Sequence, residues 1–217
     1  MKLFVLNAVF FVLTLGTTFG QSQSDLFGKS DVKISWMGID YTQVKLIGDF
    51  SAFAGAGNRN VSELRDTYFP GWNKLIVNEP DKYDVKGMLR KPNMIYDLDL
   101  IMAINSEAAV EEMEAYDTPN YSKEEIQDFV KKYNLKKKEG IGIVLIAESM
   151  NKIKQEAFYH FVAFNMKNGK VILHERMRGE PGGFGVRNYW AASYREVINQ
   201  IQKRKYSIWK SKFKAGK

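Results

Sequence analysis

The chain of 217 residues holds no cysteine and carries 32 lysines and arginines against 25 aspartates and glutamates, a formal charge of +7. Without cysteine there can be no disulfide, thiolate metal site, cysteine nucleophile or lipid anchor on a modified N-terminal cysteine, so stability must come from a packed core. The cationic surplus favours anionic partners or envelope surfaces, and its plainer reading is a solvated basic surface.

Lys2, the apolar run Leu3 to Leu15 and the small residues Gly16, Thr17, Thr18 and Gly20 have the pattern of an export signal over residues 1–20. That run is short for a permanent membrane span. Cleavage near Gly20 leaves 217 − 20 = 197 residues, enough for one domain with a sizeable core. The expected location is periplasmic or secreted, with no transmembrane span in the mature chain. Residues 21–30 are polar and read as a disordered or extended lead-in to a single domain over 31–217.

Val32, Ile34 and Trp36 alternate with Lys33 and Ser35 as in a half-buried strand that Ile39 and Tyr41 continue past Gly38. Leu46-Ile47 is a second, short apolar pair. Ser51 to Asn60 reads as a loop, and Leu64, Tyr68, Trp72, Leu75 and Ile76 follow near helical spacing, interrupted by Pro70-Gly71, which predicts a kink or two helices. One strand is expected within 93–104, and the acidic run Glu107 to Glu114 has helical composition. Ser122 and Glu125 form a capping box ahead of Ile126, Phe129, Val130 and Tyr133.

Ile141 to Ala147 is a strand buried on both faces. Ala157 to Met166 and Lys170 to Met177 flank Asn168-Gly169, a hairpin signal. On the first hairpin strand Phe158, His160, Val162 and Phe164 share one face, and Tyr159, Phe161 and Ala163 the other. Trp190, Tyr194, Val197, Ile201 and Ile208 then line one side of a long C-terminal helix ending in a basic tail. The expected fold is α/β: one domain with a mixed sheet, a C-terminal β-meander or hairpin, helices packed on the sheet and the long last helix.

Chemistry concentrates in two places. The turn Gly179 to Trp190 offers backbone amides at Gly182, Gly183 and Gly185, with Arg187 adding charge, as a candidate site for a phosphate or carboxylate. It lacks a P-loop ending and a dinucleotide glycine spacing, and its alternative reading is a strand-to-helix joint that buries Tyr189 and Trp190. His160 and His174, the only histidines, fall on neighbouring hairpin strands, with Glu148, Glu156 or Glu175 as a nominal carboxylate. No zinc spacing is present, so neither a metal nor a cofactor is expected. Ser149 and Ser193 lack the context of an activated nucleophile. Asp97 and Asp99 would share a strand face. Asn60-Val61-Ser62 and Asn120-Tyr121-Ser122 match the glycosylation pattern. The lysine-rich tail with Tyr206, Trp209 and Phe213 suggests anionic lipid or a plain basic helix end; behind an export signal, nucleic acid is not an expected partner.

Gly183-Phe184-Gly185-Val186-Arg187-Asn188-Tyr189-Trp190, Glu148 to Lys152 and the hairpin Phe161 to Leu173 together resemble a family of exported bacterial proteins of unknown function. At the level of fold the chain is also similar to the α/β domains of periplasmic assembly proteins such as the N-terminal domain of TolB. Neither resemblance implies a catalytic residue. The expected function is a non-enzymatic periplasmic binding or envelope-associated module whose partner is a protein or an anionic envelope ligand. The alternative is a hydrolase of an envelope component using His160, His174 and a nearby carboxylate.

Overall fold

The computed structural model describes residues 22–29, 31–50, 61–136 and 138–215. The expected export signal and the loop Ser51 to Asn60 lie outside the described residues. The first elements are α1 (Gln23–Gly28), β1 (Ile34–Asp40) and β2 (Lys45–Ile47). One helical rod follows, made of α2 (Val61–Glu63), a π turn (Leu64–Tyr68) and α3 (Phe69–Asn78). Then come α4 (Val85–Met88), β3 (Ile95–Tyr96), α5 (Asp99–Ser106), β4 (Glu114–Ala115) and α6 (Lys123–Lys131). The meander is β5 (Ile141–Asn151), β6 (Glu156–Asn165) and β7 (Val171–Gly179). The chain closes with α7 (Gly185–Gln200), a second π turn (Ile201–Lys205) and α8 (Tyr206–Ala215).

These elements form one α/β domain around a mixed, mostly parallel seven-stranded sheet. All of β5 is buried, as its unbroken apolar run requires of a central strand. β1 and then β2 lie in succession along one side of β5, both parallel to it. β3 pairs with β1 and β4 with β2, again parallel. β6 runs antiparallel on the other side of β5, and β7 closes the meander as the outer strand.

Strand alternation sorts the sheet into two apolar layers. Ile143, Leu145, Tyr159 and Phe161 pack with the 61–78 rod, α7 and α8. Val144, Ile146, Val162 and Phe164 pack with Ile101 of α5 and with Ile126 and Val130 of α6. The expected capping box holds α6: Ser122 Oγ accepts the Glu125 amide at 3.2 Å and Glu125 accepts the Ser122 amide at 2.8 Å.

Several expectations are corrected. Residues 23–28 are helical, because Leu26 and Phe27 are buried and Phe27 packs on Tyr206 and Phe213. β1 is buried along its whole length, where alternation predicted half-burial. Within 93–104 only Ile95–Tyr96 is strand, and the apolar residues after it belong to α5. Asp97 and Asp99 therefore share no strand face, and Asp97 pairs with Lys138. The acidic stretch forms a single 3₁₀ turn, Val110–Glu112, before β4. Of the two outcomes expected at Pro70-Gly71, two separate helices are not seen: Pro70, with no amide to donate, sits in the first turn of α3 directly after the π turn, and the helical residues run unbroken from 61 to 78. In the last helix Tyr206 and Trp209 are buried while Ile208 is 39% exposed, because the second π turn shifts the buried stripe by one residue.

The far end of β1 is held by two buried asparagines, one from each layer of helices. Pairing slips between Trp36 and Gly38, and beyond it Asn73 of α3 accepts the Ile39 amide at 2.6 Å and donates to the Ile39 carbonyl at 3.0 Å. Asn105 of α5 accepts the Tyr41 amide at 2.7 Å and donates to the same carbonyl at 2.8 Å. These amides stand in for the strand that β3 is too short to supply.

Candidate functional site

Glu148, His160, His174 and Arg176 form a connected polar group inside the meander. Glu148 stands where β5–β6 pairing slips between Ala147 and Ser149, and a bulge of this kind re-aims a side chain. Its buried carboxylate accepts His160 Nε2 at 2.7 Å, Arg176 Nε at 2.9 and 3.1 Å, and Arg176 Nη2 at 2.5 Å. His160 Nδ1 lies 2.7 Å from His174 Nε2, with the two rings stacked at 4.9 Å. Arg176 faces His160 directly across the β6–β7 ladder, and its guanidinium covers the Phe158 ring at 3.6 Å.

Burial alone would push the Glu148 carboxyl up. The hydrogen bonds from His160 and Arg176 and the charge of the guanidinium outweigh it and hold the group below its ordinary value. Burial pushes His174 down to about 4, with His160 and Lys123 adding to the shift and Glu175 opposing it. His174 is therefore uncharged at neutral pH. His160 Nε2–H donates to Glu148, and a single ring N–H lies between His160 Nδ1 and His174 Nε2. Such a chain can pass a proton, but Arg176 occupies both oxygens at its end.

The other expected partners lie elsewhere. Glu156 pairs with Arg178, while Glu175 binds Lys205 and Trp209. Ser193 bonds Tyr159 Oη at 2.8 Å and the Trp190 carbonyl at 2.7 Å, and Ser149 Oγ is buried without a partner. Among the described residues no hydroxyl bonds either imidazole. Nor do three or more His, Asp and Glu side chains gather there to hold a metal ion. Tyr206 and Trp209, read as possible contacts for lipid, are core residues, and Phe213 packs on Phe27.

The glycine turn is a joint between β7 and α7. A side chain at Gly179 would collide with the Ser193 carbonyl of α7, so only glycine lets strand and helix approach here. The Gly182 amide donates to the Tyr189 carbonyl at 2.9 Å, and Trp190 is fully buried against Phe50. Arg187 bonds Glu79 at 3.2 Å and Asn188 Oδ1 at 3.0 Å, while its carbonyl accepts Trp72 Nε1 at 2.9 Å. Gly182 and Gly183 line a cavity of about 300 Å³ together with Lys82, Tyr83, Asn188, Ala192 and Arg195; Gly185 and Arg187 are not in its wall.

A second cavity, about 510 Å³, opens beside β2, β4 and the β5–β6 turn. Its wall combines Leu46, Ile47 and Ala115 with Glu111, Glu114 and two protruding apolar side chains, Tyr116 (98% exposed) and Ile153 (75% exposed). Sequence reasoning passed over this cleft because its residues come from three separate segments with no shared motif. Arg176 was also missed, although its two-residue spacing from His174 puts both on one strand face.

Among the described residues no helix is long and apolar enough to cross a membrane. In comparison with known proteins, no family model matches the chain and no curated protein matches it.

Proposed function

We propose that the chain is an exported, non-enzymatic binding module of the cell envelope that docks a protein partner at the cleft beside β2 and β4. The observation that carries this reading is the pair Tyr116 and Ile153, which project apolar surface at the rim of a cavity of about 510 Å³. Exposed large apolar groups around a concavity are a mark of an interaction site. The polar group in the meander supports the same reading, since Glu148 and both nitrogens of His160 are already hydrogen-bonded within the protein. Export rests on Lys2, the apolar run Leu3 to Leu15 and the small residues that follow.

The test is site-specific photo-crosslinking in the native host, with a benzophenone side chain at position 116 or 153 and, as a control, at exposed Asp128 on α6. A discrete heterologous adduct from 116 and 153 but not from 128 supports the reading; equal labelling, or none, overturns it. One observation favours a second reading, a hydrolase of an envelope component: the continuous hydrogen-bond chain from half-buried His174 through His160 to Glu148. Turnover of such a substrate that disappears in His174→Gln while the fold persists would replace the first reading with the second.

A further inference from the structure

We infer that the cavity between the glycine turn and the α3–α4 loop binds a phosphoester anion, with Arg195 as its principal ligand. Arg195, on α7, is only partly exposed and lines the cavity. Among the described residues no carboxylate, carbonyl or ring engages its guanidinium. An arginine drawn out of bulk water normally acquires an acceptor, and its fork of donors fits phosphate oxygens. Every other cation nearby is engaged: Lys82 with Glu79 at 3.1 Å, and Arg187 with the same carboxylate at 3.2 Å.

The charge count agrees. Lys82 and Arg195 put two positive charges in the wall, and among the described residues no carboxylate lines it; Glu79, outside the wall, pairs with Lys82 and Arg187. A volume of about 300 Å³ is at the small end of ordinary ligand pockets, which suits a small organic phosphate better than a bare ion. Gly182 and Gly183 keep the wall free of side chains. The residue after them, Phe184, is 88% exposed. A phosphate pocket with a protruding phenylalanine beside it has the two elements of a site for a lipid headgroup: a cationic cradle and an apolar anchor. A soluble phosphoester would use the cradle alone. This site is separate from the cleft at β2 and β4, so its failure would leave the protein-docking reading untouched.

Three probes test it at fixed ionic strength: inorganic phosphate, glycerol 3-phosphate and vesicles containing phosphatidylglycerol. Amide NMR shifts at Gly183, Asn188 and Arg195 should saturate with glycerol 3-phosphate more tightly than with inorganic phosphate. Arg195→Gln should weaken that binding about tenfold or more without lowering Tm, because no internal partner of Arg195 is lost. Vesicle binding that requires both Arg195 and Phe184 (Phe184→Ser) identifies a headgroup; glycerol 3-phosphate binding that ignores Phe184, with no vesicle binding, identifies a soluble ligand. Shifts that Arg195→Gln leaves unchanged, or phosphate binding that neither organic phosphate improves, overturn the inference.

Discussion

Replacing Arg176 with leucine strands a carboxylate inside the sheet. Glu148 is fully buried and takes three of its four hydrogen-bond contacts from that guanidinium, at 2.5, 2.9 and 3.1 Å, leaving only His160 at 2.7 Å. Removing one partner of a buried ion pair costs about 3–5 kcal/mol. The Arg176 side chain is 32% exposed, so solvent already screens it and the lower end, about 3 kcal/mol, is the expectation. With a urea slope of about 2 kcal/mol per molar, the unfolding midpoint at pH 7 should fall by about 1.5 M. Arg176→Leu with Glu148→Gln should recover about 2 kcal/mol of that loss, since the stranded charge is gone. The sign with pH is fixed by the depressed Glu148 value. The wild-type pair stabilises above the ordinary carboxyl range and loses its contribution as pH falls through the folded value, so the mutant penalty must shrink as pH falls below the ordinary glutamate value of about 4.5. A midpoint at pH 7 within about 0.3 M of wild type, or a penalty indifferent to pH, would refute this account of the site.

Other expectations can be checked in the same way. His174 titrates near 4 in the fold and near 6.5 when unfolded, so stability is full above about 6.5 and declines as pH falls toward 4. After discounting for partial exposure, the loss between pH 7 and 5 is about 1 kcal/mol, and urea melts of His174→Gln should show that component missing. Gly179→Ala places a methyl on the Ser193 carbonyl and should cost about 2 kcal/mol or more by overpacking, visible as a drop in Tm; an unchanged Tm would mean that strand and helix part without cost. Leu26→Ala removes a fully buried side chain at about 2–5 kcal/mol. If α1 belongs to the cooperative unit, both the urea midpoint and protease resistance at residues 22–29 should fall.

Where a signal was local, the sequence carried it. The apolar run Ile141 to Ala147, the Asn168-Gly169 hairpin and the Ser122–Glu125 box each appear as expected. What escaped were features decided by distant partners. Leu26-Phe27 looked like a fragment of a polar lead-in until α8 provided something to bury it against. Leu100 to Ile104 had no period that separated strand from helix. Asn73 and Asn105 are ordinary helix residues in sequence, and only the short reach of β3 makes them substitutes for a strand. At the site, the facing of His160 and His174 was legible from the hairpin, and Glu148 was one of three carboxylates named. The bulge that selects it, and the cleft that joins three segments, depend on register and packing that no local pattern encodes.

The two π turns have a consequence for how the chain can change length. In most helices, deleting a residue rotates everything beyond it by about 100° and turns the buried face outward. Here the spacing from Leu64 to Phe69 and from Ile201 to Tyr206 is five residues between consecutive buried positions, one more than a regular turn holds. Loss of a single exposed residue from either loop of helix, such as Lys203, would let the turn relax to α geometry with Tyr206 and Trp209 still facing inward. Insertion has no such outlet. These two points are therefore places where the helices tolerate shortening but not lengthening, and related chains with straight helices should be one residue shorter there.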